Sequence, residues 1–379
     1  MSYRYGASYL DPGLNTLVAP PGTPIYQPYL YSWGGASVTG LNNTNNYSSP
    51  KQVGALTNWS FVSTSGVSAG SAFSIKTNGT IWSWGNNNNG QLGLNNTTTT
   101  YSPAQIGSLT NWANVSSGNA HTIAIKTDGT LWTWGKNNFG QLGLGNTNNY
   151  SSPVQVGALS NWSSASGGQL HTAAIKTDGT LWTWGYNGNG ALGLNNTTPY
   201  SSPKQVGSLT NWLYVSCGMY FTIATQTNGT IWAIGGRNQY GQLGLNSTSS
   251  FSSPNQIGAL TNWLKISAGK YFSSSIKSDG TLWAWGANSN GQLGINNSSY
   301  NYSSPKQIGA LTTWLNISCG SYHMLATKTN KTLWSWGKNN LGQLGLGNIT
   351  YYSSPKQVGS ITTWLTPSAI TNSSLVLQY

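Results

Sequence analysis

Residues 111–143 read NWANVSSGNAHTIAIKTDGTLWTWGKNNFGQLG, and close copies of this stretch recur along the chain. The anchor of each copy is a Trp-Gly pair, or once an Ile-Gly pair, which returns every 50 or 51 residues. A period of this size is typical of stacked supersecondary units, as in solenoids and propellers. Most residues are therefore expected to be scaffold, and function is expected where the copies differ. The seven pairs are Trp33-Gly34, Trp84-Gly85, Trp134-Gly135, Trp184-Gly185, Ile234-Gly235, Trp285-Gly286 and Trp336-Gly337.

Each copy predicts a small antiparallel sheet. Residues 121–127 and 130–134 alternate and are rich in β-formers. Asp128-Gly129 between them indicates a tight two-residue hairpin in which both residues have positive φ. The copy with Asn330-Lys331 lacks the glycine at this place. A glycine-rich loop and a polar run ending in Ser-Pro follow the Trp-Gly pair, and no segment shows helical periodicity with caps. We therefore expect about four strands in each unit.

The two ends of the chain predict a closed ring. Residues 364–379 match the first half of a unit, and residues 26–34 match the missing half. The N-terminal strand can thus complete the last blade, which removes the exposed edges that an open array would carry. The predicted fold class is all-β, a seven-bladed β-propeller of about 50-residue repeats over residues 25–379. Residues 1–24 are expected to form an N-terminal arm.

The same residues carry a family resemblance. The pattern Gly-x-x-His-Thr, Lys-Thr-Asp-Gly-x-Leu-Trp-x-Trp-Gly-x-Asn and Gly-Gln-Leu-Gly resembles the RCC1 (regulator of chromosome condensation) repeat over about residues 25–379. The resemblance implies a seven-bladed propeller closed by a strand from the other terminus. Members of this family include exchange factors for a small GTPase, plant UV-B photoreceptors and secreted protein inhibitors. Because one fold hosts many activities, the resemblance leaves the function open.

Titratable residues argue against catalysis. The chain has four acids, of which Asp128, Asp178 and Asp279 share the hairpin position and Asp11 lies in the arm. General acid–base chemistry needs a tuned carboxylate or histidine in a pocket, whereas these aspartates are interpreted as turn formers. We therefore expect a non-enzymatic protein without a cofactor.

Histidine and cysteine are interpreted in the same way. His121, His171 and His323 occupy one repeat position, at which other copies have Phe or Ser, so we interpret it as a packing position. No Cys/His spacing fits a metal site. Cys217 and Cys319 share another position two units apart, too far to bridge in a ring, and are expected to be small buried thiols.

The repeat also disfavours three other functions: photoreception, GTPase exchange and specific nucleic-acid binding. All 19 Trp are explained by it, which disfavours a photoreceptor with Trp clustered beside Arg. The acids are confined to hairpins, which disfavours a GTPase exchange factor. A net charge of +12 is compatible with nucleic-acid binding. However, the Lys residues repeat around the ring, so we expect a solvated ring and no specific nucleic acid. The sequence has no apolar stretch of 18 residues, so we expect no membrane-spanning helix. No Sec signal peptide is evident.

Positions that vary between the copies predict a recognition face. One set precedes the His/Phe strand and another lies in the loop after Trp-Gly, and antiparallel strands bring both to one end of the propeller. Aromatic and basic side chains there suit glycan or protein recognition. The competing interpretation is that surface Tyr fill gaps near the central channel. Lys136 and Lys338 are expected nearby, and the predicted face comprises Phe139, Met219, Tyr220, Arg237, Tyr240, Lys270, Tyr271 and Tyr322.

The first unit and the arm differ most from the repeat. Residues 35–40 replace the Gly-Gln-Leu-Gly loop, and the chain gains residues around Ser63 to Val67. With Tyr3, Arg4, Tyr5 and Tyr9 of the arm, this side is predicted to be an attachment side.

The leading hypothesis from the sequence is a non-enzymatic structural or interaction protein on a virion or extracellular surface. Within this class a bacteriophage component, a head decoration or tail adhesin docked through the arm, is favoured. Its partners would be other virion or surface proteins, with a possible glycan or host-surface ligand. The alternatives are an intracellular RCC1-like regulator that binds a partner protein, and a glycan-binding lectin.

Overall fold

The structure is a computed structural model that describes residues 27–64 and 70–379. These residues form 28 β-strands and one short 3-10 helix, Ala36–Val38. The strands assemble into seven four-stranded antiparallel sheets, which confirms the predicted seven-bladed β-propeller. No helix in the described ranges has the length and apolar character needed to span a bilayer.

Six blades are built from four consecutive strands each. Blade 1 contains β3 (Trp59–Thr64), β4 (Ser71–Lys76), β5 (Ile81–Gly85) and β6 (Thr100–Gln105), and blade 2 contains β7 (Trp112–Ser117), β8 (His121–Lys126), β9 (Leu131–Gly135) and β10 (Tyr150–Gln155). Blade 3 contains β11 (Trp162–Gly167), β12 (His171–Lys176), β13 (Leu181–Gly185) and β14 (Tyr200–Gln205). Blade 4 contains β15 (Trp212–Cys217), β16 (Phe221–Gln226), β17 (Ile231–Gly235) and β18 (Phe251–Gln256). Blade 5 contains β19 (Trp263–Ala268), β20 (Phe272–Lys277), β21 (Leu282–Gly286) and β22 (Tyr302–Gln307). Blade 6 contains β23 (Trp314–Cys319), β24 (His323–Lys328), β25 (Leu333–Gly337) and β26 (Tyr352–Gln357).

Blade 7 joins the two ends of the chain. Its inner half is β27 (Trp364–Ala369) and β28 (Ser373–Gln378), and its outer half is β1 (Tyr29–Gly34) and β2 (Tyr47–Gln52). Strand β1 pairs with β28 over its whole length, from Tyr29 opposite Gln378 to Gly34 opposite Ser373. The predicted closure by the N-terminal strand is confirmed. The first strand of every blade contacts the first strands of both neighbouring blades, including β27 with β3, so these strands line the axis of a complete ring.

The hydrophobic core lies between the blades. A representative cluster joins Ile123 and Leu131 of blade 2 to Trp162 and Trp184 of blade 3. The outermost strands carry the Ser-Pro motif, as in Tyr150–Gln155. Proline there removes a backbone donor at the edge of the sheet, where an unpaired donor would invite another chain.

One backbone carbonyl per loop joins neighbouring blades. The Gln141 carbonyl of blade 2 accepts hydrogen bonds from Trp184 Nε1 at 2.9 Å and from Thr172 Oγ1 at 2.8 Å, both in blade 3. Gly143 follows in the same loop, and a Cβ there would lie 2.7 Å from Trp184 Nε1. The motif Gly-Gln-Leu-Gly is therefore the acceptor for the Trp-Gly tryptophan of the next blade.

The hairpin prediction was wrong in its detail. Lys126 N donates to Thr130 O at 3.1 Å and Gly129 N donates to Lys126 O at 2.9 Å, so the loop has three residues. The glycine alone takes a positive φ, 77°, as in a type I turn followed by a bulge. Asp128 instead accepts from Thr130 N at 2.9 Å and from Thr130 Oγ1 at 2.7 Å, which stabilises the turn through its side chain.

This hairpin generates a paired stability prediction. A Cβ on Gly129 would lie 2.3 Å from the carbonyl of Ser160, in the connection to the next blade, so Gly129→Ala is expected to lower the free energy of unfolding by about 2 kcal/mol or more. Lys331 occupies the same place in blade 6 with φ 60°. Lys331→Gly relieves that strain, but glycine also raises the conformational entropy of the unfolded chain. The net effect should be a stabilisation of about 0.5 kcal/mol. Denaturant unfolding measures both, and a neutral Gly129→Ala or a clearly destabilising Lys331→Gly would contradict the assignment.

Candidate functional site: an aromatic and basic face

The variable positions meet at one end of the propeller. Loops between the first and second strands, and between the third and fourth strands, leave each blade at the same end because the strands are antiparallel. We call this end the loop face. The Asp-Gly hairpins, which join the second and third strands, lie at the opposite end.

Four side chains form a continuous row on blades 2 to 4 of the loop face. The rings of Phe139 and Tyr186 meet edge to face, with centroids 5.2 Å apart. Tyr186 is 6.2 Å from the ring of Tyr220. The Arg237 guanidinium lies 5.3 Å from the centroid of Tyr220. Each blade thus contacts the next through an exposed or half-exposed side chain.

A second row continues on blades 4 to 6. The rings of Tyr240 and Tyr271 are 5.1 Å apart. Lys270 Nζ lies 5.5 Å from the ring of Tyr271 and 5.3 Å from that of Tyr322. Lys338 Nζ approaches Tyr322 to 5.3 Å. We call the two rows together the aromatic–basic cluster, which comprises Phe139, Tyr186, Tyr220, Arg237, Tyr240, Lys270, Tyr271, Tyr322 and Lys338.

The structure brings seven of the eight predicted recognition residues into this cluster and excludes Met219. The Met219 side chain is 9% exposed. Its backbone instead links the loops around the axis, donating to Lys270 O and accepting from Gln169 N, each at 3.3 Å. Including Met219 in the face was wrong, because a variable position next to the channel can be filled by a buried side chain.

Sequence reasoning missed Tyr186. It is the first residue after a Trp-Gly pair, where other copies have Asn86, Lys136, Ala287 and Lys338. This position varies as much as those that were selected, so the same comparison of copies contained the signal.

The loop face is basic. The described carboxylates, Asp128, Asp178 and Asp279, are exposed in the hairpins at the opposite end. Their pKa values are held below the ordinary range mainly by hydrogen bonds from the threonine two residues later. On the loop face, burial raises the pKa of the Tyr271 hydroxyl, and Lys270 acts in the opposite direction. Tyr271 is therefore a protonated hydrogen-bond donor beside cations.

The three histidines are buried side chains that join blades. His121, His171 and His323 are at most 1% exposed. Their Nε2 atoms lie 3.0 to 3.1 Å from the hydroxyls of Thr172, Thr222 and Ser374 of the following blades. Burial lowers the pKa to about 3 for His121 and His323 and to about 4 for His171. The interpretation as a packing position holds, with an interblade contact that the sequence did not reveal.

Five repeated lysines are not part of a solvated ring, and that expectation was wrong for them. Lys126, for example, is 7% exposed. Its Nζ lies 3.8 Å from the ring of Trp132 and 5.0 Å from that of Trp112. Burial lowers its pKa. Two tryptophan faces attract the cation and take the place of water. The five residues are Lys76, Lys126, Lys176, Lys277 and Lys328.

The described residues offer no arrangement for metal or thiol chemistry. They contain no group of three or more His, Cys, Asp or Glu that could hold a metal ion. Cys217 and Cys319 are buried and unbridged. Burial raises their pKa to about 11 and about 12, respectively. Both thiols are therefore protonated at neutral pH and poorly nucleophilic.

Comparisons with known families agree with this architecture. The model of the RCC1-like domain matches residues 163–373. Models of the regulator of chromosome condensation repeat match residues 78–125, 128–175 and 112–141. The chain therefore belongs to the RCC1-like family.

Curated relatives match over shorter segments. One segment of 116 residues, 30% of this chain, is 40% identical to the probable E3 ubiquitin-protein ligase HERC6 of Homo sapiens and covers 11% of it. Another of the same length is 34% identical to the ultraviolet-B receptor UVR8 of Arabidopsis thaliana and covers 26% of that protein. The matched part thus spans about a quarter or less of these relatives.

Solved structures show the same fold over nearly the whole chain. Prp20p of Saccharomyces cerevisiae superposes with a TM-score of 0.82 at 18% identity, covering 94% of this chain and 92% of that one. Human WBSCR16 gives 0.81 at 18% identity, with coverages of 93% and 98%. At this identity the similarity concerns the fold alone.

The buried histidines generate a pH prediction. Their folded pKa values lie below the ordinary 6.5, so the unfolded chain binds more protons between about pH 6.5 and pH 4. The free energy of unfolding should therefore decrease as the pH is lowered through this window, by up to about 1.4 kcal/mol per pH unit for each histidine. Urea unfolding at several pH values measures the slope.

The control uses the residue found at this position in blades 4 and 5. The combined variant His121→Phe, His171→Phe, His323→Phe should lose most of the slope above pH 4. An unchanged slope in the folded triple variant would show that other groups cause the acid sensitivity.

Proposed function

We propose that this member of the RCC1-like family is a non-enzymatic interaction module, a regulator that binds a partner protein through the aromatic–basic cluster. The observation that carries the proposal is the pair of contact rows from Phe139 to Arg237 and from Tyr240 to Lys338, which together cross five blades on one face. Tyr and Arg are enriched among the residues that contribute most to protein interfaces. The contacts between the rings and cations order the side chains in advance, which lowers the entropy cost of binding.

The relatives support a binding role. The yeast Prp20p structure is described together with its binding properties to Gsp1p and histones, and another structure shows yeast RCC1 bound to Kap60. These partners belong to those proteins. Because the matched segments span 11% of HERC6 and 26% of UVR8, we propose for this chain a binding role and not the ligase or receptor activity.

The proposal predicts that a partner is lost when the cluster is truncated. Affinity purification with the wild-type chain, from cells that naturally produce it, should recover a partner protein. The double variant Tyr271→Ala, Tyr322→Ala should reduce its recovery at least tenfold, since truncating a central aromatic residue commonly costs 2 kcal/mol or more. Leu209→Ala is the control, because Leu209 is 46% exposed between the fourth strand of blade 3 and the first of blade 4, at the opposite end. Equal loss in both variants, or none in the double variant, would contradict the proposal.

A second candidate is the virion or extracellular-surface component. It is favoured by composition, with four acids in 379 residues and near-identical blades. Its attachment residues, Tyr3, Arg4, Tyr5 and Tyr9, lie outside the described residues, as do the boundary at residue 24 and most of the added segment near Ser63. The family comparisons favour the partner-binding regulator over this candidate. A virion or extracellular location therefore stays a proposal, as does the docking arm.

Particle fractionation tests the second candidate. If the protein is a virion component, it should sediment with purified particles and become visible on them by electron microscopy. Deletion of residues 1–24 should release it without unfolding the propeller. A chain that is absent from all particles, or that stays attached after this deletion, would contradict docking through the arm.

A further inference from the structure

We infer that the segment recognised by the aromatic–basic cluster is an acidic stretch of polypeptide bound in an extended conformation across blades 4 to 6. This inference rests on the proposed function and adds the chemistry of the partner. It is carried by three features of the cluster within the described ranges: cations without an ion pair, the spacing of those cations, and tyrosine hydroxyls without a hydrogen bond.

The cations of the cluster have no anionic partner among the residues that the structure describes. Arg237, Lys270 and Lys338 contact the faces of Tyr220, Tyr271 and Tyr322. Within the described ranges none of the three forms an ion pair, and the described carboxylates lie in the hairpins at the other end. A cation held over a ring keeps its outer side available to an anion. Complementary charge on a partner would therefore be attracted to this face.

The spacing of these cations suits an extended chain. Lys270 and Lys338 both lie 5.3 Å from the centre of one ring, that of Tyr322. Their ammonium groups are therefore at most roughly 11 Å apart, and an extended polypeptide advances about 3.3 Å per residue. Carboxylates up to three residues apart can pair with both lysines, and Arg237 over Tyr220 adds a third cation to the same face on blade 4.

The tyrosines supply neutral donors between the cations. The hydroxyls of Tyr220, Tyr240, Tyr271 and Tyr322 make no hydrogen bond to the part of the chain that the structure describes, whereas the outer-strand Tyr302 hydroxyl accepts one from Asn297 at 3.2 Å. A protonated phenol can donate to a carboxylate, and hydrogen bonds to charged groups are stronger than those between neutral groups. These hydroxyls therefore favour carboxylates over neutral backbone.

The same geometry disfavours a nucleic acid. Single-stranded binding sites stack bases on open aromatic faces, but here Lys or Arg lies over Tyr220, Tyr271 and Tyr322, and Tyr240 packs on Tyr271 at 5.1 Å. The three or four cations on the loop face could also contact fewer phosphates than the roughly 6–10 that strong nucleic-acid-binding proteins contact. Carboxylates on a flexible side chain fit this site better than stacked bases.

The test uses synthetic peptides and the intact chain. Fluorescence anisotropy would compare a labelled 12-residue peptide of alternating Glu and Ser with its Gln and Ser counterpart. We expect the acidic peptide to bind at least tenfold more tightly at low salt, and its affinity to fall at least tenfold at about 0.5 M NaCl, as screening requires. Equal binding of both peptides, or of neither, would overturn the inference.

Charge-removing variants locate the site. Lys270→Gln with Lys338→Gln should weaken the acidic peptide about tenfold. Lys306→Gln with Lys356→Gln is the matched control, because these lysines approach Tyr302 and Tyr352 at 5.6 and 5.4 Å on the outer strands and carry the same charge. The control should keep full affinity. Equal weakening in both variants would show that the peptide responds to the net charge of the protein and not to these two lysines, which would overturn the inference.

Failure of this inference can be separated from failure of the proposed function. A partner that is lost in Tyr271→Ala, Tyr322→Ala but binds independently of salt and of Lys270 and Lys338 would keep the proposed function and overturn the acidic segment. Selective binding of a neutral glycan or of single-stranded nucleic acid in place of the acidic peptide would also overturn it. Binding of the acidic peptide that survives the tyrosine variant would place it elsewhere on the chain and overturn this inference, while the proposed function would still be judged by recovery of the partner.

Discussion

The hydrogen bonds to one loop carbonyl in each blade are the contacts on which the ring depends. In blades 2, 3, 5 and 7 the carbonyl in the preceding loop accepts from both a tryptophan indole and a hydroxyl. Each such hydrogen bond contributes about 1 kcal/mol net, and leaving its buried group unpaired costs more. Blade 7 uses the same arrangement although two segments of the chain build it, with Trp33 donating to Gln343. In the divergent loop after β1, the Val38 carbonyl replaces the usual acceptor and receives Trp84 of blade 1 at 2.9 Å.

This uniform scaffold explains why the sequence varies mainly at the ends of the strands. Interblade contacts use Trp, Gly, Thr and Gln at the same places in most copies, whereas the residue just before the glycine-rich loop differs from copy to copy. The buried Gln141 side chain, for example, holds the backbone of Phe139 by accepting from its N–H at 2.9 Å, so the backbone is fixed while the side chain varies. The two faces of the ring therefore differ in charge. Tyr and cations lie on the loop face, and the described Asp residues lie in the hairpins at the opposite end.

Much of the architecture could be predicted from the sequence because the chain contains seven copies of one repeat unit. The period, the strand pairs and the closure all follow from comparison of the copies. The details that failed depend on tertiary contacts. Asp128-Gly129 read as a two-residue turn, but the side chain of Asp128 stabilises a three-residue loop. Lys126 read as solvated, yet Trp112 and Trp132 enclose it. Of the eight residues predicted for a recognition face, seven lie in the aromatic–basic cluster and Met219 is buried, while Tyr186 was not selected although its position varies; their role in recognition stays a prediction.

The shared interblade hydrogen bonds imply that blade 7 is joined to its neighbours as firmly as the blades made from one segment. Native-state hydrogen exchange of the indole N–H protons tests it most directly, because each reports the opening of one interblade hydrogen bond. We expect the indoles of Trp33 and Trp84, at the two sides of blade 7, to exchange through the same global unfolding as those of Trp134 and Trp184. Exchange of Trp33 or Trp84 at a much lower free energy, with the other two still protected, would show that the ring opens at this blade and that blade 7 is joined more weakly than the others.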